Sequence, residues 1–340
     1  MHAIFALTLL PVLAAAQTPN DDCRDDNSRD RCASVEQTKA RRLFGVKAIE
    51  MHAADRDIVR RVFYVDGYGS DLIVISAVRT RTGAPELRVD FPSSDRRISG
   101  PLTVPLPLAL WHDINARTAS LPWTSPPPPS DPKGELSICL HAWVYTLEAA
   151  TPGVRRVTED ACRRGPGQDF ASWLADATVP LFPHCAALDK KRHRNSATLL
   201  RSCGILSGRD RMAAAGAMNG AQAFRGIGGE RDAASLAPYF ARTVTIDWTG
   251  DRPDSADAAR FWAARMGPGD GSVAHLYVDR VEGLALNRVR LIGKLGRSTA
   301  TPRGRWTGSE QATVEQIWTR QPDGVFRIER ASVGPWQPQN

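Results

Sequence analysis

The sequence lacks the short motifs that identify several classes of enzyme. It contains no Gly-x-Ser-x-Gly nucleophile elbow, no His-Glu-x-x-His zinc-binding helix and no phosphate-binding glycine loop. No pair of cysteines has the Cys-x-x-Cys spacing of zinc ligands, and His141 and His184 form no regular pattern with the cysteines. These absences leave a hydrolase, a metalloprotease and a nucleotide-binding protein without support. They predict neither a metal nor a cofactor.

Long apolar runs are missing after the first residues of the chain. Ala3–Ala16 is apolar and uncharged, but it is too short to cross a bilayer core of about 30 Å as a helix. It ends in three alanines, and small residues of this kind precede the cleavage site of a secretory signal peptide. We therefore predict a signal peptide over residues 1–16, cleavage near Ala16, a mature chain beginning at Gln17 and a periplasmic or secreted protein. The residue directly after the cleavage site is Gln17 and not a cysteine, so a lipid anchor is not expected.

The charge of the chain is only mildly positive. Lys and Arg number 44 against 37 Asp and Glu, which gives a formal net charge of +7. An exported chain would rarely meet nucleic acid, so this charge does not predict a nucleic-acid partner. The expected partner is a small apolar molecule or a protein of the cell envelope, with a homodimer as an alternative.

Six cysteines in an oxidising compartment predict three disulfides, which we expect to pair in sequential order. An antiparallel hairpin over residues 137–162, centred between positions 150 and 151, would set Cys139 opposite Cys162 within bridging distance. In the same register His141 opposes Asp160, as an acid–base dyad or as an ordinary cross-strand contact. The predicted disulfides are Cys23–Cys32, Cys139–Cys162 and Cys185–Cys203.

The order of predicted elements divides the chain into parts. Strand-like segments with β-branched residues, separated by turn-like glycines, predict an antiparallel sheet early in the mature chain. Its elements are helices at 37–52 and 108–119 and strands at 59–65, 72–79, 86–91, 137–148 and 154–162. After Gln168 the pattern becomes helical. The predicted parts are the signal peptide (1–16), a polar leader with a small disulfide loop (17–35), an α+β domain (36–165), a helical segment (166–226) and a C-terminal domain (229–336).

The last third of the chain has its own order of elements. Predicted helices at 231–241 and 255–266 flank a strand at 243–248, and strands at 273–281, 286–295, 307–319 and 325–333 follow. The last two are joined by Gln321–Gly324, whose Asp-Gly is typical of a tight hairpin turn. This order, with its ending Trp318-Thr-Arg-Gln-Pro-Asp-Gly-Val-Phe-Arg-Ile-Glu329, resembles the nuclear-transport-factor-two-like superfamily, which includes SnoaL-like and ketosteroid-isomerase-like proteins.

The resemblance implies an α+β cone in which a curved antiparallel sheet wraps a cavity closed by helices. Some members of the superfamily are isomerases, dehydratases or hydrolases of small apolar molecules. Many others are non-catalytic modules for binding or dimerisation. The fold therefore does not choose an activity by itself.

Candidate site residues lie on the strands of this cone. Strand alternation places His275, Tyr277 and Asp279 on one face, and Asp247 ends the preceding strand. A carboxylate in an apolar pocket would have a raised pKa and could abstract a proton from carbon, while a hydroxyl stabilises the enolate. The catalytic hypothesis makes Asp247 or Asp279 the base and Tyr277 or His275 the donor. The expected apolar wall of the ligand pocket is Trp248, Trp262 and Trp318.

The favoured alternative is a cone filled by its own aromatic side chains, with His275 and Asp279 on a solvated face. No catalytic motif of the superfamily is reproduced residue by residue. Two basic segments, Lys190–Arg194 and the strand containing Arg288, Arg290 and Lys294, are interpreted as solvated faces, with an anion-binding strip for phosphorylated glycans as the alternative for each.

The sequence therefore predicts an exported, non-catalytic binding or interaction protein whose C-terminal cone binds a small apolar ligand or a partner. One alternative is an isomerase or dehydratase that transfers a proton in the cone without a cofactor. Another is a cell-envelope scaffold that uses the cone to dimerise.

Overall fold

The computed structural model describes residues 38–98, 100–123, 141–161, 165–227, 232–266, 273–300 and 306–338. The predicted signal peptide (1–16), the predicted polar leader (17–35) and the pairs Cys23–Cys32 and Cys139–Cys162 lie outside these residues. Helices and two largely antiparallel sheets make up the described part, so the predicted α+β class is confirmed. No helix in the described ranges is long and apolar enough to cross a membrane.

The first sheet has six strands in the order β4-β3-β2-β1-β5-β6. Both of its faces are covered, which is why β2 is buried almost continuously from Leu72 to Ala77. Val59 and Phe63 face two short helices, α1 and α2, while Val62 and Tyr64 face the main core with α3. The strands are β1 Ile58–Val65, β2 Asp71–Arg79, β3 Glu86–Asp90, β4 Leu102–Pro105, β5 Val144–Thr151 and β6 Val154–Ala161, and the helices are α1 (38–44), α2 Ile49–Ala54 and α3 Leu108–Ala119.

The single helix predicted over 37–52 is wrong because Gly45 interrupts it. Gly45 has a φ of +63°, a left-handed conformation that ends a helix and that glycine adopts without strain. The resulting α1–α2 pair lies across β1 and covers a network of buried charges.

This buried ion network joins Arg41, Arg61 and Glu148, which are 9%, 3% and 1% exposed. Arg61 and Glu148 are cross-strand partners on β1 and β5, and Arg61 Nη1 donates to Glu148 Oε2 at 3.0 Å. Arg41 Nε donates to the other carboxylate oxygen at 2.8 Å. Arg61 Nη2 also lies 3.2 Å from His52 Nε2, and since arginine only donates, that nitrogen accepts and His52 Nδ1 donates to Asp57 at 2.9 Å.

The hairpin β5–β6 has a different register from the predicted one. Tyr145 pairs with Asp160, so the predicted opposition of His141 and Asp160 is wrong. The turn lies two positions further along because Gly153, with a φ of +74°, supplies its left-handed residue. Asp160 instead accepts a hydrogen bond from the backbone of Gln168 at 2.9 Å in the first turn of the next helix.

A group of helices connects the two sheets. Cys185 and Cys203 are fully buried there and form a disulfide with a Cα–Cα distance of 5.2 Å, so the third predicted pair is present. Asn219 holds the loop before the basic segment, since its side chain bonds the backbones of Ala187 and Asp189. These helices are α4 Pro166–Thr178, α5 Pro183–Ala186, α6 Ser196–Gly204 and α7 Arg211–Ile227.

The second sheet forms the cone, with the path β7-β9-β10-β11-β12-β8 and with β13 paired to β11. The predicted order of strands is present, and register shifts within β9–β10 and β11–β12 mark bulges that bend the sheet. The long helix α7 packs against β9, β10 and β12, although the predicted boundary at residue 229 separates it from them. The elements are β7 Leu206–Gly208, α8 Ala233–Leu236, β8 Phe240–Trp248, α9 Ala258–Arg265, β9 Val273–Ala285, β10 Arg288–Ala300, β11 Trp306–Arg320, β12 Phe326–Val333 and β13 Gln337–Pro338.

Candidate functional site

The interior of the cone is filled by aromatic side chains. Trp248, Trp262 and Trp318 are each 2% exposed or less. The ring centroids of Trp248 and Trp262 lie 4.9 Å apart. Phe224 of α7 bridges the others, with its centroid 5.6 Å from Trp262 and 6.5 Å from Trp318. Of the three tryptophans expected to line a pocket, Trp248 and Trp262 therefore pack on each other, and Trp318 is joined to them through Phe224.

Two glycines let α7 approach the sheet this closely. A Cβ on Gly220 would lie 2.8 Å from the Trp318 ring, and one on Gly216 would lie 2.8 Å from the Phe326 ring. Trp318 Nε1 donates to Gln316 Oε1 at 3.0 Å within the same interior. A larger side chain at either glycine would force α7 and its aromatic contacts away from β11 and β12.

Asp247 lies on the opposite side of β8 from the interior residues Ile246 and Trp248. Its carboxylate accepts from Arg252 Nη2 at 2.9 Å and from the backbone of Gly250 at 3.1 Å. The hydrogen bond from Arg252 is the main reason that the pKa of Asp247 is lowered from its ordinary value. The raised pKa expected for a base in an apolar pocket is therefore wrong for Asp247.

His275 and Tyr277 lie on the face of β9 opposite the buried Leu276. Tyr277 is 45% exposed, its ring is 5.9 Å from that of His275, and the Arg225 guanidinium lies 5.5 Å over it. Burial, with a further contribution from Arg225, lowers the pKa of His275.

Asp279 does not follow the alternation that the sequence suggested. Val278 pairs with Gly293 and Arg280 pairs with Ile292, so Asp279 is the extra residue of a β-bulge. The catalytic candidates are also far apart in the sheet, since β10, β11 and β12 lie between β9 and β8. The structure does not bring Asp247 together with His275 and Tyr277.

An open groove lies at one end of the cone, where α7 begins and two hairpin turns meet. This mouth groove has a volume of about 690 Å³. Its rim carries exposed apolar side chains from all three elements, and the exposed fractions are 52% for Met212, 82% for Leu286 and 49% for Val325. Asp210 and Arg320 also line it, but Asp210 Oδ1 caps α7 through the backbone of Ala213 at 3.0 Å.

The residues of the mouth groove come from three separate segments of the chain, so no local sequence pattern predicted it. One local signal was present: Leu286 stands in a hairpin turn, where polar residues are usual, and Leu284 lies just before it at the end of β9. Both side chains are exposed, at 43% and 82%.

A potential metal-ligand cluster accompanies the disulfide. One ligand atom each from His184, Cys185 and Cys203 lies within 4.8 Å of the others. The two sulfurs are bonded to each other, so neither is a free thiolate for a metal ion. Burial lowers the pKa of His184 to about 4, and the imidazole is therefore neutral at physiological pH.

Comparisons with known proteins find partial likenesses of structure. No protein-family model and no curated protein matches the sequence. A nuclear transport factor 2 (NTF2-like) superfamily protein from Salmonella enterica has 14% identity and a TM-score of 0.31, and the match covers 36% of this chain and 91% of that one. An NTF-2 like protein of unknown function from Shewanella oneidensis has 6% identity and a TM-score of 0.30, covering 35% and 96%.

A ketosteroid isomerase-like protein from Erwinia carotovora atroseptica has 9% identity and a TM-score of 0.28, covering 34% of this chain and 90% of that one. The chain thus has a resemblance to NTF2-like structures over about 35% of its length, as the sequence predicted. At these identities and TM-scores the likeness carries no conclusion about activity or ligand.

Proposed function

We propose that this chain is an exported, non-catalytic binding protein that takes a small apolar molecule in the mouth groove of its cone. One contrast carries the proposal: the interior of the cone is closed by packed aromatic rings, whereas a groove of about 690 Å³ is open at its mouth. Small-molecule sites are typically clefts of about 300–1,000 Å³ with apolar walls and few polar groups.

The rim of the mouth groove supplies the driving force for binding. Leu286, Met212 and Val325 leave apolar surface in contact with water. Covering one such side chain fully is worth about 1.5–3 kcal/mol, and about 1.4 kcal/mol corresponds to a tenfold change in Kd. An apolar ligand in contact with all three side chains gains this burial free energy, which offsets its loss of translational and rotational freedom.

Export is supported by the bonded pair Cys185–Cys203. Disulfides form and persist mainly in oxidising compartments such as the periplasm. The catalytic alternative has weaker support, because Asp247 is held by Arg252 and three strands separate it from Tyr277.

Replacing Leu286 with glutamine tests the proposed site directly. The neutral fluorescent dye N-phenyl-1-naphthylamine serves as the apolar probe, and its Kd is measured by fluorescence titration of the full chain. Leu286→Gln is expected to weaken binding by about tenfold, because it removes the most exposed apolar side chain of the rim. The matched control is Leu284→Gln, which changes a 43% exposed leucine of the same hairpin that does not line the groove.

The control variant is expected to bind the dye as the parent chain does. Equal weakening by both substitutions, or no effect of Leu286→Gln, would show that the dye binds elsewhere and would remove the mouth groove as the site. Native mass spectrometry of protein recovered from the periplasm gives a second readout. A retained small molecule supports the proposal, whereas a bare dimer would favour the scaffold alternative.

A further inference from the structure

We infer that the chain has a second binding site, for a small anionic sugar, in a cleft roofed by Lys190, His193 and Arg194 of the basic segment. This basic cleft lies between the first sheet and helices α4 and α6, and its volume is about 210 Å³. It shares no lining residue with the mouth groove, so the inference stands apart from the proposed function.

The floor of the basic cleft is made of two tyrosines. Tyr64 and Tyr145 are direct cross-strand partners on β1 and β5, and their ring centroids lie 5.7 Å apart. The Tyr64 hydroxyl donates to the backbone oxygen of Ala171 at 2.7 Å and so fixes α4 against the sheet. Burial raises the pKa of both phenols, which therefore stay protonated at physiological pH. Tyr64 and Tyr145 are 1% and 5% exposed, so they close the bottom of the cleft with apolar rings.

One wall of the basic cleft carries hydroxyl groups and a single carboxylate. Ser172 and Asp176 lie one turn apart on α4, and Ser196 begins α6 opposite them. Ser196 Oγ donates to Asp176 Oδ1 at 2.5 Å, which links the two helices. An ionised carboxylate has about four acceptor positions, so Asp176 can accept further hydrogen bonds from a ligand hydroxyl.

The roof of the basic cleft is cationic. Lys190 and Arg194 both line the cleft, and the Arg194 guanidinium lies 5.7 Å over the ring of Tyr68. His193 also lines it, and the buried atom Nε2 of this residue has no hydrogen-bond partner within the described ranges. A buried polar atom without a partner is costly, so a ligand that bonds to His193 recovers that free energy.

These groups together select a molecule with two kinds of polar group. A bare anion small enough to enter would approach the negative charge of Asp176, which opposes its binding. A sugar that carries one phosphate or carboxylate avoids that conflict, because its anionic group can face Lys190 and Arg194 while its hydroxyls bond Asp176 and Ser172. The shared chemistry of the ligand is therefore a monosaccharide with one anionic substituent. In this inference the segment Lys190–Arg194 binds an anion through Lys190 and Arg194, which corresponds to the anion-binding alternative to a solvated face.

Isothermal titration of the full chain tests this inference with glucose 6-phosphate and with glucuronate. These two probes distinguish a phosphate from a carboxylate as the anionic group, and glucose and inorganic phosphate are the comparison ligands. We expect at least one anionic sugar to bind about tenfold or more tightly than either comparison ligand, because only it uses both sets of groups.

Two variants locate the binding. Lys190→Gln is expected to weaken binding of the anionic sugar by about tenfold, while Lys191→Gln, one residue along and not part of the cleft lining, leaves it unchanged. Asp176→Asn is expected to weaken the anionic sugar but to strengthen inorganic phosphate, since it removes both a charged acceptor and a repelling charge. The inference is overturned if neither anionic sugar binds, if inorganic phosphate binds as tightly as both, or if Lys190→Gln and Lys191→Gln have equal effects.

Discussion

Replacing Glu148 with alanine is expected to lower the free energy of unfolding by about 3–5 kcal/mol. Glu148 is 1% exposed and its two carboxylate oxygens accept from Arg41 and Arg61. Without it, two guanidinium groups remain in the interior with no carboxylate between them. Burial already lowers the pKa of Arg61, and Glu148 is the main charge that opposes this. The loss is large because an uncompensated buried charge costs more than the intact ion pair contributes.

Urea unfolding of the oxidised protein, followed by tryptophan fluorescence, measures this effect. Glu86→Ala is the matched control, because Glu86 is an exposed glutamate in β3 of the same sheet and its replacement should change stability by less than about 0.5 kcal/mol. A triple variant with Arg41→Met, Arg61→Met and Glu148→Leu is expected to recover much of the lost stability, since apolar replacement of a whole buried ion group is often neutral. A loss below about 1 kcal/mol for Glu148→Ala would show that the network is accessible to water and that this account of the α1–α2 face is wrong.

Replacing Trp262 with alanine is expected to cost about 3–5 kcal/mol and to create a binding cavity inside the cone. Trp262 is 1% exposed, contacts Phe224, Phe240 and Trp248 through its ring, and its Nε1 has no hydrogen-bond partner among the described residues. The substitution therefore removes packing without breaking a hydrogen bond recorded in this structure. The space left among the remaining rings is apolar, and such cavities bind small aromatic molecules.

Thermal unfolding with and without benzene measures both consequences of Trp262→Ala. Benzene is expected to raise the Tm of the variant but not that of the parent chain, because the parent interior is already full. Trp336→Ala is the control, since Trp336 is only partly buried, lies at the edge of the cluster, 6.3 Å from Trp248, and should cost less. A parent chain whose Tm rises with benzene as much as that of the variant would mean that the cone contains an open cavity.

Local sequence patterns predicted the elements whose determining residues are close together in the chain. Helix α3 occupies 108–119 as predicted, and the strand pair β1–β2 and the hairpin around Asp323–Gly324 follow from β-branched runs and turn residues. The Cys185–Cys203 pair also followed from its position in a helical hairpin. In each case the determining residues lie within about twenty positions of each other.

The features that the sequence did not reveal depend on backbone exceptions or on distant partners. A left-handed Gly45 divided one predicted helix, and a left-handed Gly153 moved a hairpin register by two positions at the turn. The bulge at Asp279 is invisible to an argument from strict alternation. The contact of Arg41 with Glu148 joins residues 107 positions apart, and nothing in either segment alone predicts it.

The candidate site also combines features that local sequence patterns predicted with features that depend on distant residues. The aromatic character of the cone was predictable from Trp248, Trp262 and Trp318, but their packing into a closed interior depends on Phe224 and on the glycines of α7. The groove at the mouth needs α7 beside two hairpin turns, and the predicted boundary at 229 had placed α7 in another part of the chain.

The central claim, that an apolar molecule binds at the mouth of the cone and not in its interior, is tested most directly by methyl NMR with labelled methionines. Met212 lies on the rim, whereas Met218 and Met266 are buried. Met51 is the exposed control: it lies far along the chain from the groove, and its exposed fraction of 56% matches the 52% of Met212. Titration with N-phenyl-1-naphthylamine is expected to shift the Met212 methyl resonance through the ring current of the dye and to leave the other three in place. A shift of Met218 or Met266 without one of Met212 would place the molecule inside the cone and contradict the account.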